Sequence, residues 1–351
     1  MSPNSEARPP RRERYQGKNP RRFTQKYKEH RRDPDTLSKV AAAGKTPAGT
    51  HRPIMPDEVL EALAIQPGET VLDGTLGFGG HTELLLKASC PGGRVIGLDV
   101  DPIQLPLTAH RLRSLGWAEP QFTAVASNFA GAASVLAAHG CATGADALFL
   151  DLGVSSMQID DPARGFSWKQ DGPVDMRLNP TRGLSAGAFL LQTSVEKLAR
   201  ILDENADEPL AVPLAQLLAG REFLTTHALA AAIRERAAAA LRLRPGAEEE
   251  AERTVRRVFQ ALRIAVNGEF TALDAILRAL PSCLKPGGRA AILTFHSGED
   301  RRVKHAFRSL AATGAWDLHE EPQPARARTK ELRENPRSSS AKLRWIQRAE
   351  A

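Results

Sequence analysis

The sequence has little that staples or anchors a chain. Cysteine is scarce: Cys90, Cys141 and Cys283 lie far apart and form no Cys-x-x-Cys pair. That excludes a disulfide scaffold and a thiolate zinc site, and it suits a reducing cytosol. No apolar run approaches the ~18–20 residues of a membrane span. The start, Met-Ser-Pro-Asn, leads into polar and basic residues instead of the apolar core of a secretory signal. The nine histidines are scattered without carboxylates beside them, so no metal site is expected.

What is present is 351 residues, enough for one large domain or two ordinary ones. The net charge of +7 is unevenly spread. Residues 1–50 hold 13 Lys and Arg against 5 Asp and Glu, whereas the remainder holds 35 against 36. The pI of 9.5 therefore describes an arm and not the body. Pro9, Pro10, Pro20 and Pro34, three Arg-Arg pairs and almost no Val, Ile or Leu make this arm unable to offset its own ordering entropy, so 1–50 reads as a disordered segment. Both tyrosines, Tyr15 and Tyr27, lie in it with Phe23 between them. Basic residues interleaved with aromatics suit RNA phosphates and unstacked bases. A solvated tail without a partner has the same composition.

From His51 short apolar runs alternate with helical patterns. Glu69–Asp73, Arg94–Asp99, Phe122–Ala126 and Asp146–Asp151 read as four strands, with helices from His81, up to about Leu115, and over 130–139. Repeated βα units predict a mostly parallel α/β sheet covered on both faces. The alternation stops after Ser156. A polar stretch over 157–183 leads to helices at Ala186–Gln192, Val195–Asp203, Leu210–Leu218 and Thr226–Leu241, then a Glu/Ala/Arg helix into Val255–Val266. The α/β pattern resumes with a strand over Arg289–Phe295, a helix near 299–312, and candidate strands at Trp316–His319 and Lys342–Ile346. The expected division is an arm (1–50), a first α/β part (51–156), a mostly helical insertion between strands four and five (157–254), and a second α/β part (255–351).

The first strand runs into Asp73-Gly74-Thr75-Leu76-Gly77-Phe78-Gly79-Gly80-His81. Glycines let a backbone approach a ligand closely, and the next helix presents free N–H groups. The spacing does not match a dinucleotide fingerprint. It resembles the looser D-G-T-x-G-x-G-G-H turn of S-adenosylmethionine-dependent methyltransferases. Asp99 ends the second strand, where an acidic side chain can accept hydrogen bonds from both ribose hydroxyls. Phe129 follows the third strand; its ring can face an adenine, but as an isolated aromatic it reads better as core. Asp151, Ser155 and Ser156 follow the fourth strand, at the carboxyl end where open α/β sheets place their chemistry. Such oxygen-rich side chains can accept hydrogen bonds from an amine and aim its lone pair.

These pieces together resemble the RsmH family, also called MraW, of bacterial small-subunit rRNA cytosine-N4-methyltransferases. The carrying stretches are His51–Ile54, Asp73–His81, Leu98–Pro102, Leu150–Gln158, Arg164–Ser167, Asp171–Arg177, Phe259–Asn267, Thr294–Ser297, Glu299–Arg301, Asn335–Arg337 and Ser340–Arg344. The resemblance implies a class I methyltransferase fold, Rossmann-like, with a helical insertion. It implies S-adenosyl-L-methionine as cofactor, contacted by Gly79, Gly80, His81, Asp99, Phe129, Asp151 and Gln158, which for Phe129 reverses the core reading. It implies 16S rRNA within the small ribosomal subunit as partner, in the cytoplasm, with neither membrane nor DNA involved. The reaction implied is methyl transfer to the N4 amine of one cytidine in the decoding region. Residues 203–224, the stretch before Phe259 and Gly298 depart from the family wording, and the arm 1–50 stands outside it.

Cytosine N4 is a poor nucleophile because its lone pair delocalises into the ring. A catalyst has to hold the amine in line and draw that pair out of conjugation; Asp151, Ser155 and Ser156 are the candidates. The loop Arg164–Arg177 is expected on the substrate side. Phe166 and Trp168 would stack a splayed-out base, and Asp171, Asp175 and Arg177 would make polar contacts. The same residues, without the resemblance, read as an internally bonded loop. His296 either orients substrate or caps the next helix.

Overall fold

A computed structural model describes residues 53–242, 245–318 and 323–350. The arm 1–50, the His51-Arg52 start of the first motif and His319 of the expected sixth strand lie outside the described residues.

Seven strands, β1 (Thr70–Asp73), β2 (Arg94–Asp99), β3 (Phe122–Ala126), β4 (Ala145–Asp151), β5 (Leu284–Thr294), β6 (Trp316–Leu318) and β7 (Lys342–Arg348), form one sheet. Their order is β3-β2-β1-β4-β5-β7-β6. The first five pair in parallel, and β7 is antiparallel to both β5 and β6. Helices α1 (Pro56–Leu63), α2 (Gly80–Ser89), α3 (Gln104–Ser114) and α4 (Ala132–Ala138) are interleaved with the first four strands. Between β4 and β5 come α5 (Ser156–Asp160), α6 (Ala186–Gln192), α7 (Val195–Ala206), α8 (Ala211–Leu218), α9 (Thr226–Leu241), α10 (Ala247–Asn267) and α11 (Glu269–Cys283). Then follow α12 (Ser297–Ala311) and α13 (Thr329–Glu334).

Successive strand residues point to opposite faces, which explains why the strands are apolar throughout. Val71, Val95, Phe149 and Leu293 join Leu63, Leu86 and Leu112 of α1, α2 and α3 in one core. Their neighbours Leu72, Ile96, Leu148 and Ile292 join Leu136, Leu277 and Phe307 of α4, α11 and α12 in another. A third core lies wholly outside the sheet: Leu190, Leu198, Leu214, Ile233, Val258 and Phe259 of α6 to α10, with Phe166, Val174 and Met176 of the preceding loop.

Two details depart from the expected elements. Strand β5 begins at Leu284, not Arg289, because Leu284 already pairs with Ala145 across an irregularity in the register. Helix α10 runs unbroken through 254–255, the expected end of the insertion, and its Val255, Val258 and Leu262 face the helical core. One amphipathic face at three- and four-residue spacing serves the whole helix, so nothing in the packing marks a boundary there. Helices α1, α5, α11 and α13 are additional to the expected elements.

Candidate active site

A cleft of about 520 Å³ opens at the carboxyl ends of β1, β2 and β4. Its floor is the turn between β1 and α2. Asp73, buried at the end of β1, holds that turn closed. Its Oδ1 accepts from Thr75 N at 3.0 Å and its Oδ2 from the Thr82 hydroxyl at 2.6 Å. From outside, α3 grips the turn's carbonyls: the Thr108 hydroxyl donates to Gly77 O at 2.6 Å and Arg111 to Phe78 O at 2.8 Å. Gly79 is left-handed (φ 72°), and a Cβ there would stand 2.9 Å from Thr108. Only glycine satisfies both demands.

Asp99 closes one side. Its Oδ2 accepts from Gly77 N and its Oδ1 from Asp101 N, both at 2.8 Å. Burial nevertheless outweighs these bonds and pushes its carboxyl up to about 6. Asp73 is likewise pushed up to about 6 by burial. Asp151, at the end of β4, is driven furthest, to about 8, first by burial and then by the charges of Asp73 and Glu299. Its side chain keeps 28% of its exposure. His81 faces it, Nδ1 standing 3.5 Å from Asp151 Oδ2, while Nε2 meets Ile54 O at 2.9 Å, which assigns the proton to Nε2.

The cleft brings together most of the expected residues: Gly79, Gly80, His81, Asp99, Phe129, Asp151, Ser155, Ser156, Gln158 and His296 all line it. Phe129 does both things its two readings allow, lining the cleft while packing on the core of the sheet. Several polar side chains are also committed elsewhere. Ser155 and Gln158 form a capping box at α5, with Gln158 N donating to Ser155 Oγ at 3.2 Å and Ser155 N to Gln158 Oε1 at 2.9 Å. His296 caps α12, its Nδ1 facing Glu299 N at 3.4 Å. Its Nε2 stands 3.1 Å from Glu299 Oε1, out of line for a hydrogen bond. Burial would raise the Glu299 carboxyl, but His296, Arg263 and the Phe295 amide hold it below the ordinary range.

Phe166, Trp168, Asp171, Asp175 and Arg177 do not line the cleft. Phe166 is buried in the helical core, and Trp168 meets Phe259 edge-on at 5.0 Å. Asp171 is an exposed cap for the start of α9, accepting from His227 N at 2.9 Å. Asp175 and Arg177 form a forked ion pair with bonds of 2.9 and 2.7 Å. Lys169 and Leu178 of the same loop line the cleft instead, with Arg263 and Asn267 of α10, Glu269 and Phe270 of α11, and Arg337. Arg263, Asn267 and Arg337 sit within motif stretches of the sequence, but only the fold brings them to the cleft: Arg263 and Asn267 stand just before the corner between α10 and α11, and Arg337 comes from the segment after α13. Lys169 carried no sequence signal.

A parallel sheet in this order, with an antiparallel β7 and a glycine turn at the carboxyl edge of β1, defines the class I S-adenosylmethionine-dependent methyltransferases. The cofactor fits the residues present. The lining offers the kinds of group it requires: the acidic side chains of Asp99 and Asp151, the apolar ring of Phe129 and the backbone of the glycine turn. Within that class, the profile of the MraW methylase family matches residues 48–349, and the chain belongs to that family. It is 44% identical to ribosomal RNA small subunit methyltransferase H 1 of Lachnoclostridium phytofermentans, over 97% of this chain and 93% of that one. It is 43% identical to methyltransferase H 2 of Alkaliphilus metalliredigens over 99% of each chain, and 40% identical to methyltransferase H of Myxococcus xanthus over 85% of this chain and 97% of that one. The first two matches run through most of residues 1–50. The arm thus aligns with some relatives, while the family profile itself begins at residue 48.

Among the described residues no three His, Cys, Asp or Glu side chains are grouped to hold a metal ion, and no helix is long and apolar enough to cross a membrane.

Proposed function

We propose that the protein methylates the exocyclic N4 amine of one cytidine in the decoding region of 16S ribosomal RNA, acting in the cytoplasm on the small subunit. The observation that carries this reading is the length of the likeness: relatives named as ribosomal RNA small subunit methyltransferases match the α/β body and the helical region alike. In the same reading, 51–156 and 255–351 form the methyltransferase domain and 157–254 a substrate-side insertion, with α10 carrying the insertion's core on past 255.

S-adenosylmethionine supplies a methyl group already activated on a sulfonium. The chain has to orient the amine and take its proton. Asp151 accepts a hydrogen bond from one N4 proton, which draws the lone pair out of the ring. As the new N–C bond forms, the bond from the methyl carbon to sulfur would break with its electron pair left on sulfur, and the N–H bond would break with its proton passing to the ionised carboxylate of Asp151. With its carboxyl pushed up to about 8, Asp151 is mostly protonated near neutrality in the free protein; a cationic ligand favours its ionised form, and that carboxylate is the proton acceptor. Ser155 and Ser156 are the second line of amine contacts. The Ser155 oxygen already accepts from Gln158 N, so Asp151 is the stronger acceptor. Gly79, Gly80, His81, Asp99, Phe129 and Gln158 hold the cofactor. Phe166, Trp168, Asp171, Asp175 and Arg177 serve the substrate side by shaping the loop, and His296 by fixing the start of α12.

The test is mass spectrometry of 16S rRNA nucleosides from cells with and without the protein. Loss of N4-methylcytidine at one decoding-region position is expected, restored by the wild-type gene. An unchanged level would overturn the proposal. Purified protein assayed on naked rRNA and on assembled subunits then identifies the substrate form.

A further inference from the structure

We infer that Arg164, clamped to the buried carboxylate of Asp101, is a positioning residue that sets the substrate-side wall of the cleft. The inference rests on the function proposed above only in naming RNA as the molecule that meets this wall.

Asp101 lies two residues beyond Asp99 and is fully buried. Its Oδ1 accepts from Ile103 N at 2.9 Å and from Gln104 N at 3.3 Å, at the start of α3. Its Oδ2 takes Gln158 Nε2 and Arg164 Nη1, each at 2.8 Å. A buried carboxylate is tolerated when a cation and hydrogen bonds compensate it, and Arg164 is that cation. The other end of the guanidinium does something different. Its Nη2 donates to the carbonyls of Arg177 at 3.0 Å and Leu178 at 2.8 Å. One side chain therefore runs from the end of β2 to the far end of the polar loop.

Leu178 lines the cleft, and so does Asn267 at the end of α10. Asn267 grips the same backbone from the opposite side: its Oδ1 accepts from Leu178 N at 2.7 Å and its Nδ2 donates to Met176 O at 2.8 Å. Between these anchors Met176 is left-handed (φ 62°) and buried, a conformation that a residue with a side chain keeps only when its surroundings impose it. Apolar packing of Phe166, Val174 and Met176 fixes the loop to the helical core. Arg164 instead fixes it to β2, the strand that carries Asp99. The position of the wall relative to β2 thus depends on this fork, while Asn267 holds the same backbone to α10. A lysine would keep a cation beside Asp101, but its single ammonium cannot also bridge to two carbonyls.

Arg164→Lys is accordingly the informative variant. Its melting temperature is expected within a few degrees of wild type, and its affinity for S-adenosylmethionine, by calorimetry, within about three-fold. Amide hydrogen exchange over residues 175–179 should accelerate at least ten-fold, and KM for the RNA should rise at least ten-fold with a smaller fall in kcat. A purely structural residue would move the melting temperature without this split. Asn267→Ala loosens the same backbone without touching the ion pair and should reproduce the pattern if Arg164→Lys folds poorly. Unaltered exchange in both variants, or faster exchange with wild-type KM and kcat, would overturn the inference. A wild-type protein inactive on RNA overturns the proposed function instead, and the exchange comparison, which needs no RNA, then decides the tether alone.

Discussion

On the cofactor side of the cleft, the chain folds a glycine turn between two strand ends and holds it through backbone atoms: Asp73 to Thr75 N, Asp99 to Gly77 N, Thr108 to Gly77 O. On the opposite side, a loop of no regular structure is held by side-chain forks from Arg164, Arg177 and Asn267. The turn of the first wall is contiguous in sequence, pinned from 22 and 31 positions away and backed by the sheet. The second is assembled from residues some 90 positions apart and backed by a separate helical core. A ligand common to many enzymes can be met by the first construction, whereas the second can vary with the substrate. The comparison predicts that damage on the two sides separates cleanly into cofactor effects and substrate effects.

The largest effect tests the point where the walls meet. Asp151→Ala should lower methyl transfer by about 10²–10⁴-fold, the usual worth of a proton-transfer group. The same carboxyl should make cofactor binding pH-dependent. Asp73, Glu299 and His81 face it, and its value of about 8 lies above that of an exposed aspartate. Between pH 4 and 8 the folded protein therefore keeps a proton that the unfolded chain has released. This destabilises the free protein increasingly up to about pH 8, after which the effect is constant. A cationic ligand favours the ionised form, so binding should release a proton near pH 7 and strengthen as pH rises from 6 to 8.5. Calorimetry in buffers of different ionisation enthalpy counts that proton. Asp151→Asn should abolish the release, and a wild-type protein that releases none would break the assignment.

Asp99→Ala probes the cofactor wall alone. Hydrogen bonds to a charged acceptor contribute about 1.5–3 kcal/mol, so affinity for S-adenosylmethionine should fall by about ten-fold or more. Unchanged affinity in a folded variant removes Asp99 from the ribose. Replacing Asp171 and Arg177 by Ala probes the other wall. Because Asp171 caps α9 and Arg177 forks onto Asp175, methyl transfer and melting temperature should both fall while cofactor affinity stays within a few-fold. Normal activity and normal melting would take the substrate wall out of this loop.

The smallest effect concerns the arm. Deleting 1–50 removes 13 basic and 5 acidic residues and leaves a body of net charge −1. Phosphate contacts release counterions, so the truncated protein should bind RNA more weakly at low salt, with a shallower slope of log affinity against log salt. It should still methylate the same position with unchanged cofactor affinity. Equal slopes in anisotropy titrations would make the arm a solvated tail.

The sequence by itself determined the parallel sheet, its interruption after β4 and the glycine turn, because each is written in contiguous residues whose spacing has a direct backbone consequence. Asp99 and Asp151 were legible for the same reason: a strand's last residue faces the carboxyl edge wherever the strand lies. Tertiary structure alone decided which side chains of the polar loop reach the cleft. Phe166 and Trp168 look available for stacking in the chain, yet the helical core claims them, since burying their apolar area against Phe259 and its neighbours is open to them only once α6 to α10 have packed. Lys169, Arg263, Asn267 and Arg337 come to the same cleft from three distant segments, and Asp101 finds its cation 63 residues away. Such meetings depend on how the helices turn at Gly268 and on where the loop is anchored, and no local pattern in the chain encodes either.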